Sequence, residues 1–141
     1  MANYNATVRT NYFSVNDETA LRNLIKASRA AEDQLSLFER KQDDGTTKFG
    51  FGCQSHILGA PDPNDSNKLN TEYLWECLQG LVADDDAVIV TEIGNEKLRH
   101  ITAFSIVITK KEIQTIDIST TAVDLARKLL NNPNYCTEMD Y

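Results

Sequence analysis

The sequence predicts a single α+β domain built on a mainly antiparallel sheet. Three observations carry that expectation. Two pairs of strand-like runs are each joined by a short turn, which makes hairpins and so antiparallel pairing. Three further stretches carry apolar residues at helical spacing. The 141 residues, 41% hydrophobic and 25% charged, have the size and composition of one ordinary domain spanning 1–141. The expected order is strand, helix, hairpin, helix, hairpin, helix. About five strands would form one sheet, with all three helices on one of its faces.

Thr7 to Val15 (TVRTNYFSV) is rich in β-branched and aromatic residues and reads as the first strand. Asn16 and Asp17 offer capping oxygens, and Leu21, Leu24 and Ile25 then follow on one face of a helix that ends near Ala31. The first hairpin runs from Gln34 to Ser55 around Asp43-Asp44-Gly45, where glycine supplies the positive φ of the turn. In its second arm Gly50 and Gly52 share a face, leaving it open to close approach by another backbone or a ligand. Residues 59–70 (GAPDPNDSNKLN) are dense in proline, glycine, asparagine and aspartate and read as a polar loop.

Thr71 is placed to cap the second helix, whose stripe is Leu74, Trp75, Leu78, Leu81 and Val82. This puts Trp75 in the core. Asp84-Asp85-Asp86 ends that helix. Ala87–Ile93 and Leu98–Thr109 form the second hairpin, with Gly94-Asn95 in its turn, and Ile113–Ile118 adds an edge strand. Ser119 or Thr120 would cap the last helix, with Ala122, Leu125, Ala126, Leu129 and Leu130 on its apolar face. Pro133 ends it, and residues 133–141 form a short polar tail.

Charge and cysteines narrow the function classes. The net charge is −7, from 21 acidic and 14 basic side chains. Nucleic-acid binding needs clustered Lys and Arg to displace counterions, and here they are dispersed among acids, so direct binding is not expected. The three cysteines are Cys53, Cys77 and Cys136, an odd and widely spaced set unlike a secreted disulfide framework. The first residues lack the pattern of a signal peptide, and no apolar run approaches a membrane span. A cytoplasmic protein with free thiols is expected.

No catalytic motif emerges. Cys53 and His56 have a metal-like spacing, but zinc needs three or four ligands. The remaining candidates, His100, Cys77 and Cys136, form no second close pair. A catalytic dyad of Cys53 or Cys77 with His56 or His100 would need an exposed thiol of lowered pKa. Gly50-x-Gly52 lacks the lysine and the strand-to-helix setting of a phosphate loop. Ser14, Ser36 and Ser55 stand in no nucleophile elbow. Asp84, Asp85 and Asp86 have the carboxylates to hold a divalent cation with Glu92, but read first as a solvated acidic turn. Their charge opposes the helix dipole, so helix stability alone does not account for them. No cofactor is expected.

At TVRTNYFSV, the following DETALRNL, the GFG of Gly50–Gly52 and NEKLRHIT, the chain resembles a group of small acidic proteins of conjugative and other mobile elements of Gram-positive bacteria. The likeness covers most of the length, including the ending NPNYCTEMDY. It implies a setting and no site residues. Small acidic proteins of such elements often blunt host restriction or CRISPR defence.

The expected function is therefore non-enzymatic protein binding. The first alternative is an acidic inhibitor that mimics nucleic acid, with Asp84, Asp85 and Asp86 at the contact. The second is a small metal-binding or cysteine enzyme using Cys53, His56 and His100. For the Leu98–Thr109 strand, small residues suit the helix-covered face. Phe104, Ile106 and Ile108 would then lie on the bare face, where a homodimer partner or another protein docks.

Overall fold

The computed structural model describes residues 4–137, and within them the chain is α+β with three helices and nine strands in two sheets. The strands are β1 (Asn5–Thr10), β2 (Arg29–Ala30), β3 (Ser36–Lys41), β4 (Thr47–Cys53), β5 (Ile57–Asp62), β6 (Asp65–Asn70), β7 (Val88–Glu96), β8 (His100–Ile108) and β9 (Ile113–Asp117). The helices are α1 (Glu18–Ala27), α2 (Thr71–Leu81) and α3 (Ile118–Leu129). The main sheet has the order β3-β4-β1-β7-β8-β9, and every neighbouring pair is antiparallel. A second sheet, β2-β5-β6, packs against α1 and α2. Residues 138–141 of the expected tail lie outside the described residues, and 133–137 follow α3 without helix or strand.

Both predicted hairpins are present, as β3–β4 and β7–β8. Gly45 takes φ +88° in the first turn, where Asp44 Oδ1 accepts from Thr46 N at 3.0 Å. The second turn lies three residues beyond the expected Gly94-Asn95. Lys97 carries its positive φ of 53°, and Gly94 is instead a strand residue paired with Ala6 and Thr102. Glycine suits position 94 because a Cβ there would stand 2.7 Å from the Asn5 backbone oxygen and 2.5 Å from the Tyr4 hydroxyl.

The polar loop expected at 59–70 is a hairpin, β5–β6. Its turn residues are real: Asp62 Oδ1 accepts from Asn64 N at 2.8 Å and Asp65 Oδ1 from Asn67 N at 3.1 Å. Ser66 to Leu69 are polar or exposed because β6 is the edge of the small sheet. The sheet count of about five strands is corrected to nine in two sheets for the same reason.

Each helix starts on a side-chain acceptor. Asp17 caps α1 as predicted, but α2 is capped by Asn70 rather than Thr71, and α3 by Asp117 rather than Ser119 or Thr120. α1 stops at Ala27, and the Ser28 hydroxyl donates to Leu24 O at 2.7 Å at its end. Leu21 and Ile25 of α1 and Leu74 and Leu78 of α2 share one core with Val8, Phe49, Phe51, Val88, Val90, Ile106 and Ile108 of the main sheet. The third helix does not join them. No residue of α3 is buried, which overturns the expectation of three helices on one sheet face.

Candidate interaction surface

Register decides which strand residues share a face. Val8 pairs with Glu92 and Cys53, Glu92 with Phe104, and Val90 with Ile106, so these side chains point together toward α1 and α2. Ile108 is wholly buried, Ile106 nearly so, and Phe104 is half-buried against the same core. The face assignment from sequence is therefore reversed: Phe104, Ile106 and Ile108 lie beneath the helices. The physical reason is that α1 and α2 bring leucine and isoleucine side chains to the sheet. They pack against large β-branched partners and have no need of small ones.

The opposite face of the main sheet lies away from α1 and α2, α3 meets the sheet at β8 and β9, and this face divides into two regions. On β1, β3 and the residues after β1 it is aromatic and basic. The Arg9 guanidinium sits 3.9 Å from the Phe38 ring centre and 5.3 Å from that of Tyr12, and Arg40 sits 4.3 Å from Tyr12. Each such stack contributes roughly 0.5–1 kcal/mol at an exposed site. Gly52, opposite Arg9, lets the strands close, because a Cβ there would meet Val8 O at 2.5 Å. The close approach expected at the glycines is thus made by the neighbouring strand.

On β7, β8 and β9 the same face is apolar. Ile93, Ile101 and Ile116 are each more than half exposed. Thr91 and Ser105 form a cross-strand hydroxyl pair at 2.8 Å between them. With Ile118 and Thr121 of α3, these strands line a hollow of about 340 Å³. The helix continues the apolar surface. Ile118, Ala122, Leu125 and Leu129 recur at i, i+4, i+7 and i+11, one stripe of the helix, and all four face solvent. Sequence reasoning identified much of this stripe but buried it. The signal it missed was Asp117, the natural cap, which makes the helix begin on the residue after the strand.

The remaining candidates are scattered. Cys53 is buried, its thiol donating to Ser55 O at 2.9 Å, and burial with the nearby Asp33 and Glu92 charges pushes that thiol up. Such a thiol is a poor nucleophile. His56 is half-buried against the Tyr4 ring, Cys77 is half-buried, and Cys136 and His100 are exposed. Among the described residues no three His, Cys, Asp or Glu side chains are grouped to hold a metal ion.

The aspartates after α2 also separate by role. Asp86 holds the entry to β7, accepting from Ser14 N at 2.8 Å and Ala87 N at 2.8 Å, whereas Asp84 and Asp85 are exposed. Glu92 is six residues further on, about 20 Å along an extended chain, so it shares no cation with them. It accepts instead from the Tyr4 hydroxyl at 2.8 Å, and burial together with Glu92 raises the pKa of that phenol. Glu92, Trp75, Phe104 and Ile106 line a cleft of about 140 Å³ between α2 and the sheet. Trp75 is accordingly half-buried, packed on the core but with one edge open.

Comparison with protein-family models, with curated proteins and with solved structures finds no match for the chain. No helix among the described residues is long and apolar enough to cross a membrane.

Proposed function

We propose that this is a non-enzymatic protein-interaction protein of the cytoplasm, working through the open face of its main sheet together with α3. The observation that carries the reading is the solvent-facing stripe Ile118, Leu125 and Leu129 beside an uncovered apolar sheet. Exposed apolar surface of that extent marks an interaction site more often than it is tolerated idle. The resemblance to small acidic proteins of mobile elements supports the same reading and suggests a partner in host defence or in the element itself. Affinity capture from a native host with wild type and Ile93→Asp tests it. One protein held in stoichiometric amount by wild type and lost with the variant is expected. Equal capture by both would overturn the choice of surface.

A second reading, an acidic inhibitor that occupies a nucleic-acid-binding groove, has its own support. Glu18, Asp44, Asp85 and Asp86 line one polar hollow of about 720 Å³ at the end of the main sheet. Charge reversal should use Asp85 in the hollow and the adjoining exposed Asp84, and spare Asp86 and the turn residue Asp44, which the fold needs. Under this reading those reversals and added salt both weaken binding to the captured partner.

A further inference from the structure

We infer that the occupant of the open apolar face is a second copy of this chain, each copy laying its α3 stripe on the other's β7–β9 surface. The inference rests on the interaction reading above and names its first partner.

Asp117 is both the last residue of β9, an edge strand of the main sheet, and the cap of α3, its Oδ1 accepting from Thr120 N at 3.1 Å. The helix leaves the edge strand, and its first turn, at Ile118 and Thr121, lines the hollow. The chain thus holds an apolar helical stripe and an apolar sheet face that suit one another and leave each other exposed in the single chain: Leu125 and Leu129 on the one, Ile93 and Ile101 on the other. Two copies related by a two-fold axis satisfy both at once, since each brings the same pair of surfaces.

Area agrees. Ile93, Ile101 and Ile116 on the sheet and Ile118, Leu125 and Leu129 on the helix are 53–78% exposed. At about 180 Å² for a whole aliphatic residue, these six alone present about 650 Å² per copy, most of the roughly 800 Å² per partner of a standard interface. Three of the six, Ile93, Ile116 and Ile118, line one hollow where sheet and helix adjoin.

Sedimentation equilibrium of the full chain at micromolar concentration tests this, with circular dichroism to check folding. Wild type should sediment as a dimer, and Leu125→Asp/Leu129→Asp and Ile93→Asp should each be folded monomers. Mixing the two variants should restore part of the dimer, because one intact helix then faces one intact sheet. A monomeric wild type would overturn the inference while leaving host-partner capture as a separate question. A dimer that survives both variants would place the contact elsewhere, and a double variant that unfolds would make α3 part of the core. Either result overturns it.

Discussion

α2 and α3 have nearly the same design and opposite fates. They run 11 and 12 residues, each is capped by a side-chain oxygen, and each starts on the residue after a strand. Leu74 and Leu78 of α2 are wholly buried, yet α3 buries nothing. The difference lies in what stands opposite. α2 leaves the small sheet and crosses the main one, so its stripe is enclosed between β5 and β8. α3 leaves the edge of the main sheet, and no second sheet awaits it. Amphipathic spacing states that a helix will be covered; it does not state that the same chain does the covering.

The largest test of this contrast is a pair of truncations. Leu78→Ala should cost about 2–5 kcal/mol, through lost burial and the cavity left behind. Leu129→Ala should stay within about 0.5 kcal/mol in the monomer, as an exposed substitution does. Urea denaturation at high dilution measures both. Comparable losses would mean that α3 belongs to the core after all.

Trp75 sharpens the comparison from within α2. It is the single tryptophan, half-buried at the cleft beside Glu92. Trp75→Ala should cost about 2 kcal/mol, below the range for a fully buried ring. Its fluorescence in the native protein should be partly quenched by acrylamide, where a sealed core position would resist quenching.

The smallest effect is a pH dependence on the packed side. Asp33 accepts from Gln54 N at 2.8 Å and from the Ser55 hydroxyl, and these bonds hold its carboxyl below the usual value of 3.8. A lowered native pKa means that the unfolded chain binds the proton more readily. The stabilisation is therefore fully present above the unfolded value and is lost as pH falls through the native one. Wild type should be slightly more stable than Asp33→Asn at neutral pH, with the gap closing on acidification in denaturation series. A gap that does not change with pH would show that the charge is not what matters at Asp33.

Much of the fold was legible because periodicity and turn chemistry agreed. Asp44-Gly45 marked one hairpin, and the Leu74/Leu78 stripe marked α2. The reading failed where one chemistry serves two structures. Pro61 to Asp65 spells a loop, but the same residues close a tight turn between β5 and the edge strand β6, whose side chains are mostly polar and exposed. The candidate surface was legible as a list of residues and illegible as a place. Alternation along β8 gives two sets of side chains and no rule for which set the helices choose, and that choice follows only from the pairing of Val90 with Ile106.

Gly59 carries a consequence for how the molecule opens. Its φ is +117°, and a Cβ there would lie 2.4–2.6 Å from the backbone of Asn70 and Thr71, where β6 becomes α2. Asn70 meanwhile accepts at Oδ1 from Tyr73 N and donates from Nδ2 to Asp62. The small sheet and the first turn of α2 are therefore joined like a bracket bolted through both plates. Lifting β5 from β6 uncaps the helix, and fraying the helix loosens the sheet. Their amide protons should exchange with solvent as one unit, and the core above them is guarded by a latch that releases all at once.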